Sequence, residues 1–395
     1  MRPLLAAIAA LTAAVTVLPL STAEASLSPE TSQDAQLVGI GAAHVFVIVL
    51  ENESYKSAYV HNKHHYLGRK LQKQGTLLTH YYGIGHYSLD NYLAMISGQA
   101  PNPVTSQDCQ HYRKFKPSSH PLKINKHGQA VGEGCIYPAS VLTLADQLQA
   151  AGVTWGGFMD HMGAKRGREA KTCGQPSLLK HHIDATQIAT KKDQYAARHN
   201  PFVYFRSLLG SGLCDANVLK LGALPPALAS IETTPQFSFI TPDLCNDGHD
   251  RPCRGTDSAG SRKGGLASID RFLKKWVPII QASPAYQQDG VLIITSDESD
   301  GRDSSACCNE RPGPTEHKPG LSGPGGGRVG TLVLGRCVAA DTKVATPYNH
   351  YSLLRSLEDM FGITTGGTDG AGHLGYAAEP DLQPFGLDVF GSCPL

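Results

Sequence analysis

Short runs rich in Val, Ile and Phe recur along the chain, each too short for a helix and each bounded by polar or glycine-containing segments. They are His44–Leu50, Val153–Met159, Gln236–Ile240, Val291–Thr295 and Thr331–Leu334. Continuous apolar runs of this length read as strands buried on both faces of a parallel sheet. Helical patterns lie between them. Ser140–Ala151 carries apolar residues at helical spacing, and His350–Phe361 places Leu353, Leu354, Leu357 and Phe361 on one face. The alternation predicts an α/β fold with a central, mostly parallel sheet and helices on both faces.

The acidic residues follow these runs closely. Glu51 comes directly after the first, Asp160 after the second, Asp243 and Asp247 after the third, and Asp297-Glu298 after the fourth. In an open α/β sheet the carboxyl ends of the strands form the ligand crevice. Carboxylates converging there repel one another unless a cation lies among them, so the pattern predicts a divalent metal ion. Capping of the following helices explains one or two of these positions, and less easily the adjacent pair Asp297-Glu298. Two irregular stretches, Asn102–Glu133 and Asp300–Gly327, read as long loops at the rim of that crevice.

The N-terminus adds a compartment. Arg2 precedes an apolar run from Leu4 to Leu20 and then Ala23-Glu24-Ala25, the pattern of a signal peptide cleaved after Ala25. Thr12, Thr16 and Pro19 interrupt the run, which is short for a membrane anchor. The expectation is a secreted protein with a single domain over residues 26–395. Ten cysteines, all beyond the first hundred residues, then read as disulfides. No Cys-x-x-Cys spacing favours thiolate metal ligands, and the adjacent Cys307 and Cys308 are expected to reach two different partners. With Lys+Arg 35 against Asp+Glu 34, the near-neutral charge argues against a nucleic-acid partner.

One segment carries a candidate nucleophile. In Ile84–Gly98 (IGHYSLDNYLAMISG) polar residues give way to a helical stretch, which puts Ser88 at a helix N-terminus, where backbone N–H groups favour an anion. Asn91, one turn on, can point its amide at the same anion. A serine there alone would read as an N-cap; the carboxylates elsewhere favour a nucleophile. His86, two residues before Ser88, and His199 in HNPF are candidate proton donors or phosphate contacts. The basic residues Lys165, Arg166 and Arg168, with Lys191-Lys192, read by default as a solvated face, with peripheral membrane contact as the alternative.

The ordered blocks ENESY, GHYSLDNYLAMISGQ, HNPFVYF, TPDLCNDGHD, ITSDES and YNHYSLLRSLEDMFG, spanning Val45 to Ile363, resemble the bacterial phosphoesterase family. That family belongs to the alkaline phosphatase superfamily and holds secreted acid phosphatases, phosphatidylinositol-phosphate phosphatases and phospholipases C. The resemblance implies that Glu51, Asn52, Asp297 and Glu298 hold a metal, that Ser88 is the nucleophile and that Asn91 contacts a phosphoryl oxygen. Asp247, His249 and His350 fall where relatives with two metals place the second ion, although the spacing departs from Asp-x-x-x-His. Oxygen ligands leave calcium, magnesium and manganese open, and the histidines admit zinc or iron.

The implied activity is hydrolysis of a phosphomonoester through a phosphoserine, the substrate being a small molecule or a phospholipid head group. A phospholipase C-type diesterase is the alternative. It is disfavoured because the chain ends soon after HYSLLRSLEDMFG, where larger family members carry β domains. An inactive binding protein is the alternative of another class, disfavoured because the nucleophile and the matched ligands are all present.

Overall fold

A computed structural model describes residues 44–61 and 65–391, so the signal-peptide reading lies outside the described residues. The sheet is built from β1 (His44–Leu50), β2 (Thr76–Leu78), β3 (Trp155–Met159), β4 (Val218–Lys220), β5 (Phe237–Thr241), β6 (Gly290–Ser296), β7 (Thr331–Gly335) and β8 (Thr342–Val344). Their spatial order is β8-β2-β7-β6-β1-β5-β3-β4. From β6 to β4 every pairing is parallel, whereas β7 runs antiparallel to both β6 and β2.

Strand β1 shows why the apolar runs become central strands. All seven residues of HVFVIVL are buried. Val45, Val47 and Val49 enter one core, while Phe46, Ile48 and Leu50 enter the other. Successive side chains of a strand point to opposite faces, so both faces must be apolar. Helix α1 (Ser88–Ser97), α2 (Leu144–Ala150) and α4 (His350–Met360) cover the first face. Helix α3 (Leu266–Gln281) covers the second with Ile269, Phe272, Leu273, Trp276, Val277 and Ile280.

Local signals set the helix ends. Thr143 and Asp146 form a reciprocal capping box, so α2 begins later than the periodicity from Ser140 suggests. Asn349 caps α4 by accepting from the Ser352 N–H at 2.9 Å. Helix α1 is buried along its whole length and ends at Gly98, whose φ of 63° suits glycine.

Four disulfides occur among the described residues: Cys109–Cys135, Cys173–Cys214, Cys245–Cys253 and Cys307–Cys308. The last corrects the expectation of two separate partners. The six cysteines from Cys109 to Cys253 pair among themselves, and the two neighbours on the 300–327 loop pair with each other.

The register of β1 on β6 prepares the site. His44 pairs with Gly290 and Leu50 with Ser296. The next residues, Glu51 and Asp297, therefore emerge side by side at the carboxyl end of the sheet. The Asp297 N–H bonds the Leu50 carbonyl at 2.9 Å, and the Glu51 N–H bonds the Asp247 carbonyl at 2.9 Å, which ties the loop after β5 to the same place.

Candidate active site

Glu51 is fully buried, and its carboxylate is the hub of the crevice. Ser88 Oγ donates to Oε2 at 2.8 Å, Tyr92 Oη donates to Oε1 at 2.7 Å, and Asn52 Nδ2 reaches Oε2 at 3.3 Å. Ser88 and Tyr92 lie four residues apart on α1, so both hydroxyls project from one helical face onto one carboxylate. Burial, then the nearby Asp297 and Asp247, pushes the Glu51 carboxyl well above the usual range.

Asp297 stands beside it. Its Oδ1 accepts from the Asn52 N–H at 3.1 Å, while Oδ2 is buried without a partner. Burial, then Glu298, raises its carboxyl as well. Glu298 Oε2 accepts from the Tyr87 N–H at 2.7 Å and lies 3.4 Å from His86 Nδ1. Tyr87 has φ 130°, a strained value for a non-glycine residue that costs on the order of 1–3 kcal/mol. The turn sets its N–H on Glu298 and starts α1 at Ser88.

Asn91 clamps that turn. Its Oδ1 accepts from the N–H groups of Ile84 at 2.7 Å and Gly85 at 3.2 Å, and its Nδ2 donates to the Gly85 carbonyl at 3.0 Å. The side chain is fully buried and bonds backbone groups of the preceding turn. The first helical N–H groups are also partly used, because Leu89 N–H donates to Asp108 Oδ1 at 3.1 Å.

The histidines separate into distinct roles. His199 Nδ1 lies 3.1 Å from Asp247 Oδ2, and its Nε2 faces Glu51 Oε1 at 3.4 Å without a hydrogen bond. The ring stacks on Tyr92 with centroids 5.3 Å apart. Burial, then Arg198, holds His199 well below the usual imidazole range, so it is neutral. His199 thus joins Glu51 and Asp247 in a group whose ligand atoms all lie within 4.8 Å of one another.

Asp247, His249 and His350 form no shared ligand cluster among the described residues, although the His249 N–H donates to Asp247 Oδ1 at 2.8 Å. His249 Nε2 is taken by the Arg198 guanidinium at 3.1 Å and Nδ1 by Asp250 at 2.9 Å. His350 lies beneath the site, bonded to Tyr81 Oη at 3.0 Å and to the Asp297 carbonyl at 2.6 Å, so neither ring nitrogen is left for a metal. His86 is similarly engaged, with Nε2 on the Asp303 carbonyl at 2.7 Å. Burial lowers its pKa, but the Glu298 hydrogen bond and charge outweigh that and raise it. It braces Glu298 and the 300–327 loop.

Arg198 has no counterpart in the sequence reading. It is 4 % exposed, near Asp108 at 3.7 Å and His249 at 3.1 Å. Burial opposes its charge, but Asp108, Glu51 and Asp247 keep it protonated. Nothing in the sequence separates this arginine from a surface one. Tyr92 is legible in principle, one helical turn after Ser88.

These residues surround a cleft of about 320 Å³ lined by Asn52, His86, Ser88, Asp108, His249 and Glu298. Gly301 and Leu321 also line it, so the 300–327 loop reaches the rim through them and the 102–133 loop through Asp108, as expected. A second acidic group, Asp160, His161 and Asp243, lies at the ends of β3 and β5. There His161 bonds Asp243 directly and is pushed up to about 9 by that bond, so the imidazolium itself supplies positive charge.

The first group has no such internal cation within it. Glu51, Asp247 and Asp297 are carboxylates raised above all by burial and further by neighbouring acids, with Asp297 Oδ2 and His199 Nε2 unpartnered. That donor set fits a divalent metal ion.

Residues 57–364 match the Phosphoesterase family. The chain is 21% identical over 347 residues to an acid phosphatase of Aspergillus fumigatus, covering 87% of this chain and 60% of that protein. It is 23% identical over 346 residues to a probable acid phosphatase of Kluyveromyces lactis, covering 86% and 62%. The chain therefore spans about three fifths of the length of these relatives. A phosphatidylinositol-3-phosphatase of Mycobacterium tuberculosis is 24% identical over 321 residues, covering 81% of this chain and 77% of that protein. Among solved structures, an alkaline phosphatase superfamily protein from Vibrio parahaemolyticus aligns over 85% of this chain and 70% of its own, at 13% identity and a TM-score of 0.44.

Proposed function

The chain belongs to the Phosphoesterase family, and from that premise we propose that it is a metal-dependent phosphomonoesterase whose nucleophile is Ser88. The observation that carries the reading is Ser88 itself. Its hydroxyl opens α1 at the cleft and donates to the buried Glu51 at 2.8 Å. The relatives named acid phosphatase support a monoester substrate.

Ser88 Oγ attacks phosphorus, the bond to the leaving oxygen breaks, and a phosphoserine forms. Water then displaces the serine, and inorganic phosphate is released. Glu51 orients the Ser88 hydroxyl, and Tyr92 fixes the other oxygen of Glu51. Asn91 and the Glu298–Tyr87 contact hold the turn that sets the position of Ser88.

Glu51, Asn52, Asp297 and Glu298 would hold the divalent ion, with His199 and Asp247 completing the group on the Glu51 side. Such an ion supplies a lowered serine pKa and neutralises phosphate charge. A phosphoinositide head group is a candidate substrate on the strength of the relative named phosphatidylinositol-3-phosphatase. Secretion is supported by the disulfides, which persist in oxidising compartments.

The test is release of phosphate from p-nitrophenyl phosphate before and after chelation. Turnover should vanish in metal-stripped protein and return with a divalent ion. Full turnover without metal would refute the reading.

A further inference from the structure

The stretch from His161 to Lys192, after β3, distributes its charges unevenly. Its two acids, Glu169 and Asp184, are buried. Arg168 is buried with them, bonded to Asp193 Oδ1 at 2.7 Å and to the carbonyls of Thr186 at 3.2 Å and Ile188 at 3.1 Å. By contrast Lys165, Arg166, Lys171, Lys180, Lys191 and Lys192 are all exposed. This stretch presents six full cations and no acid to solvent, on a chain whose formal net charge is only +1.

Aliphatic side chains stand among these cations. Leu178 is 44% exposed, Leu179 59%, Ile183 39% and Ile188 68%. A single exposed leucine needs no explanation, but four large aliphatics within eleven residues concentrate exposed apolar surface in one short segment. The tip is a hairpin. Leu179 N–H bonds the Ile183 carbonyl at 2.8 Å, and Ala185 N–H bonds the Ser177 carbonyl at 3.0 Å. The backbone thus holds Leu179 and Ile183 outward, with Lys180, His181 and His182 between them.

The patch is tied to the cleft. His111 Nδ1 bonds the His181 carbonyl at 2.9 Å, and Tyr112 N–H bonds the His182 carbonyl at 3.0 Å. Gln187 Nε2 donates to the Asp108 carbonyl at 2.9 Å, and the Arg198 guanidinium donates to the Gln187 carbonyl at 3.1 Å. Asp108 lines the cleft beside Ser88, so the hairpin is anchored to a wall of that cleft.

We propose that this face docks on an anionic phospholipid bilayer. The aliphatic tips enter the head-group layer and the lysines meet lipid phosphates, the combination that holds peripheral proteins on membranes. Charge complementarity alone would suit any polyanion, but a soluble polyanion has no use for four exposed aliphatics. The inference rests on the phosphomonoesterase reading only in that the docked cleft would serve a phospholipid phosphomonoester.

The full chain is sedimented with phosphatidylcholine vesicles, and with vesicles that also contain phosphatidylserine, while p-nitrophenyl phosphate turnover is followed in the same preparation. The wild type should bind the anionic vesicles alone. Lys191→Gln with Lys192→Gln should weaken binding by roughly thirty-fold, the effect of two basic side chains at an anionic surface. Leu179→Ser with Ile188→Ser should weaken it by about ten-fold or more. Neither pair should alter turnover of the soluble ester. A wild type that turns over the ester but leaves the vesicles unbound overturns the docking. Binding that ignores the aliphatic pair also overturns it, in favour of a soluble polyanion or acidic protein. Vesicle binding by a protein without turnover supports the docking and counts against the functional reading instead.

Discussion

Glu51, His199 and Asp247 combine two carboxylates and a histidine, as do Asp160, His161 and Asp243, and both groups lie at the carboxyl ends of the strands. Their electrostatics differ because their histidines differ in depth. His161 is about 40% exposed, bonds Asp243 and is pushed up to about 9. Asn246 Nδ2 adds bonds to Asp160 at 2.8 Å and Asp243 at 3.2 Å, so one imidazolium offsets one of the two carboxylates and a neutral amide bonds both. His199 is buried, held neutral, and leaves Nε2 unpartnered between two raised carboxylates. His161 carries charge that offsets an acid; His199, buried and next to the Arg198 guanidinium, does not, and the balance there must come from outside the group.

Mutations in the two groups should therefore separate chemistry from folding. Ser88→Ala is the largest expected effect. Turnover should fall by at least about 10³-fold, as for loss of a covalent nucleophile, while the unfolding midpoint and bound metal stay near wild type. Rapid quenching should trap phosphate on Ser88 in the wild type; phosphate recovered on a histidine would reassign the nucleophile.

Asn91→Ala should affect both properties. Removing the clamp leaves the Ile84 and Gly85 N–H groups without an acceptor, costing about 2–4 kcal/mol in denaturant titration. Turnover should fall by about 10–10²-fold through a displaced Ser88. Lost turnover with unchanged stability would instead make Asn91 a direct phosphate contact.

His161→Gln is the smallest effect and tests the group that carries its own imidazolium. Its pKa is raised in the folded protein, so its stabilisation is fully present below the usual 6.5 and is lost as pH rises through about 9. The variant should be less stable by about 1 kcal/mol at low pH, a figure reduced by the exposure of the ring, and should match wild type at high pH. Turnover and metal content should not change. A loss of bound metal in this variant would erase the distinction between the two groups.

The parts legible in the sequence are those governed by local pattern. His44–Leu50 is a strand at both predicted ends because Val45 to Leu50 are all apolar enough for a doubly covered position, and His44 at its start is paired with Asp289. His350–Met360 is a helix within one residue of the expectation, and Ser88 does begin α1. The placing of acids at strand ends also follows from order along the chain. By contrast, α3 is hard to read because Gly264-Gly265 and Pro278 punctuate its ends. The ligand-like setting of His199 and the buried charge of Arg198 depend on which strands become neighbours, and no local signal encodes that. Asn91 sits where the sequence puts it, one turn after Ser88, but backbone groups of the preceding turn claim its amide.

The pairing of Leu50 with Ser296 has a practical consequence for anyone preparing this protein. Glu51 and Asp297 are neighbours only because two central strands align residue for residue, and a slip of one position would send one of them to the opposite face. Misassembled molecules would then be inactive rather than weakly active. In a refolding trial, fractional specific activity should accordingly count correctly assembled molecules, and active-site titration should return the same fraction.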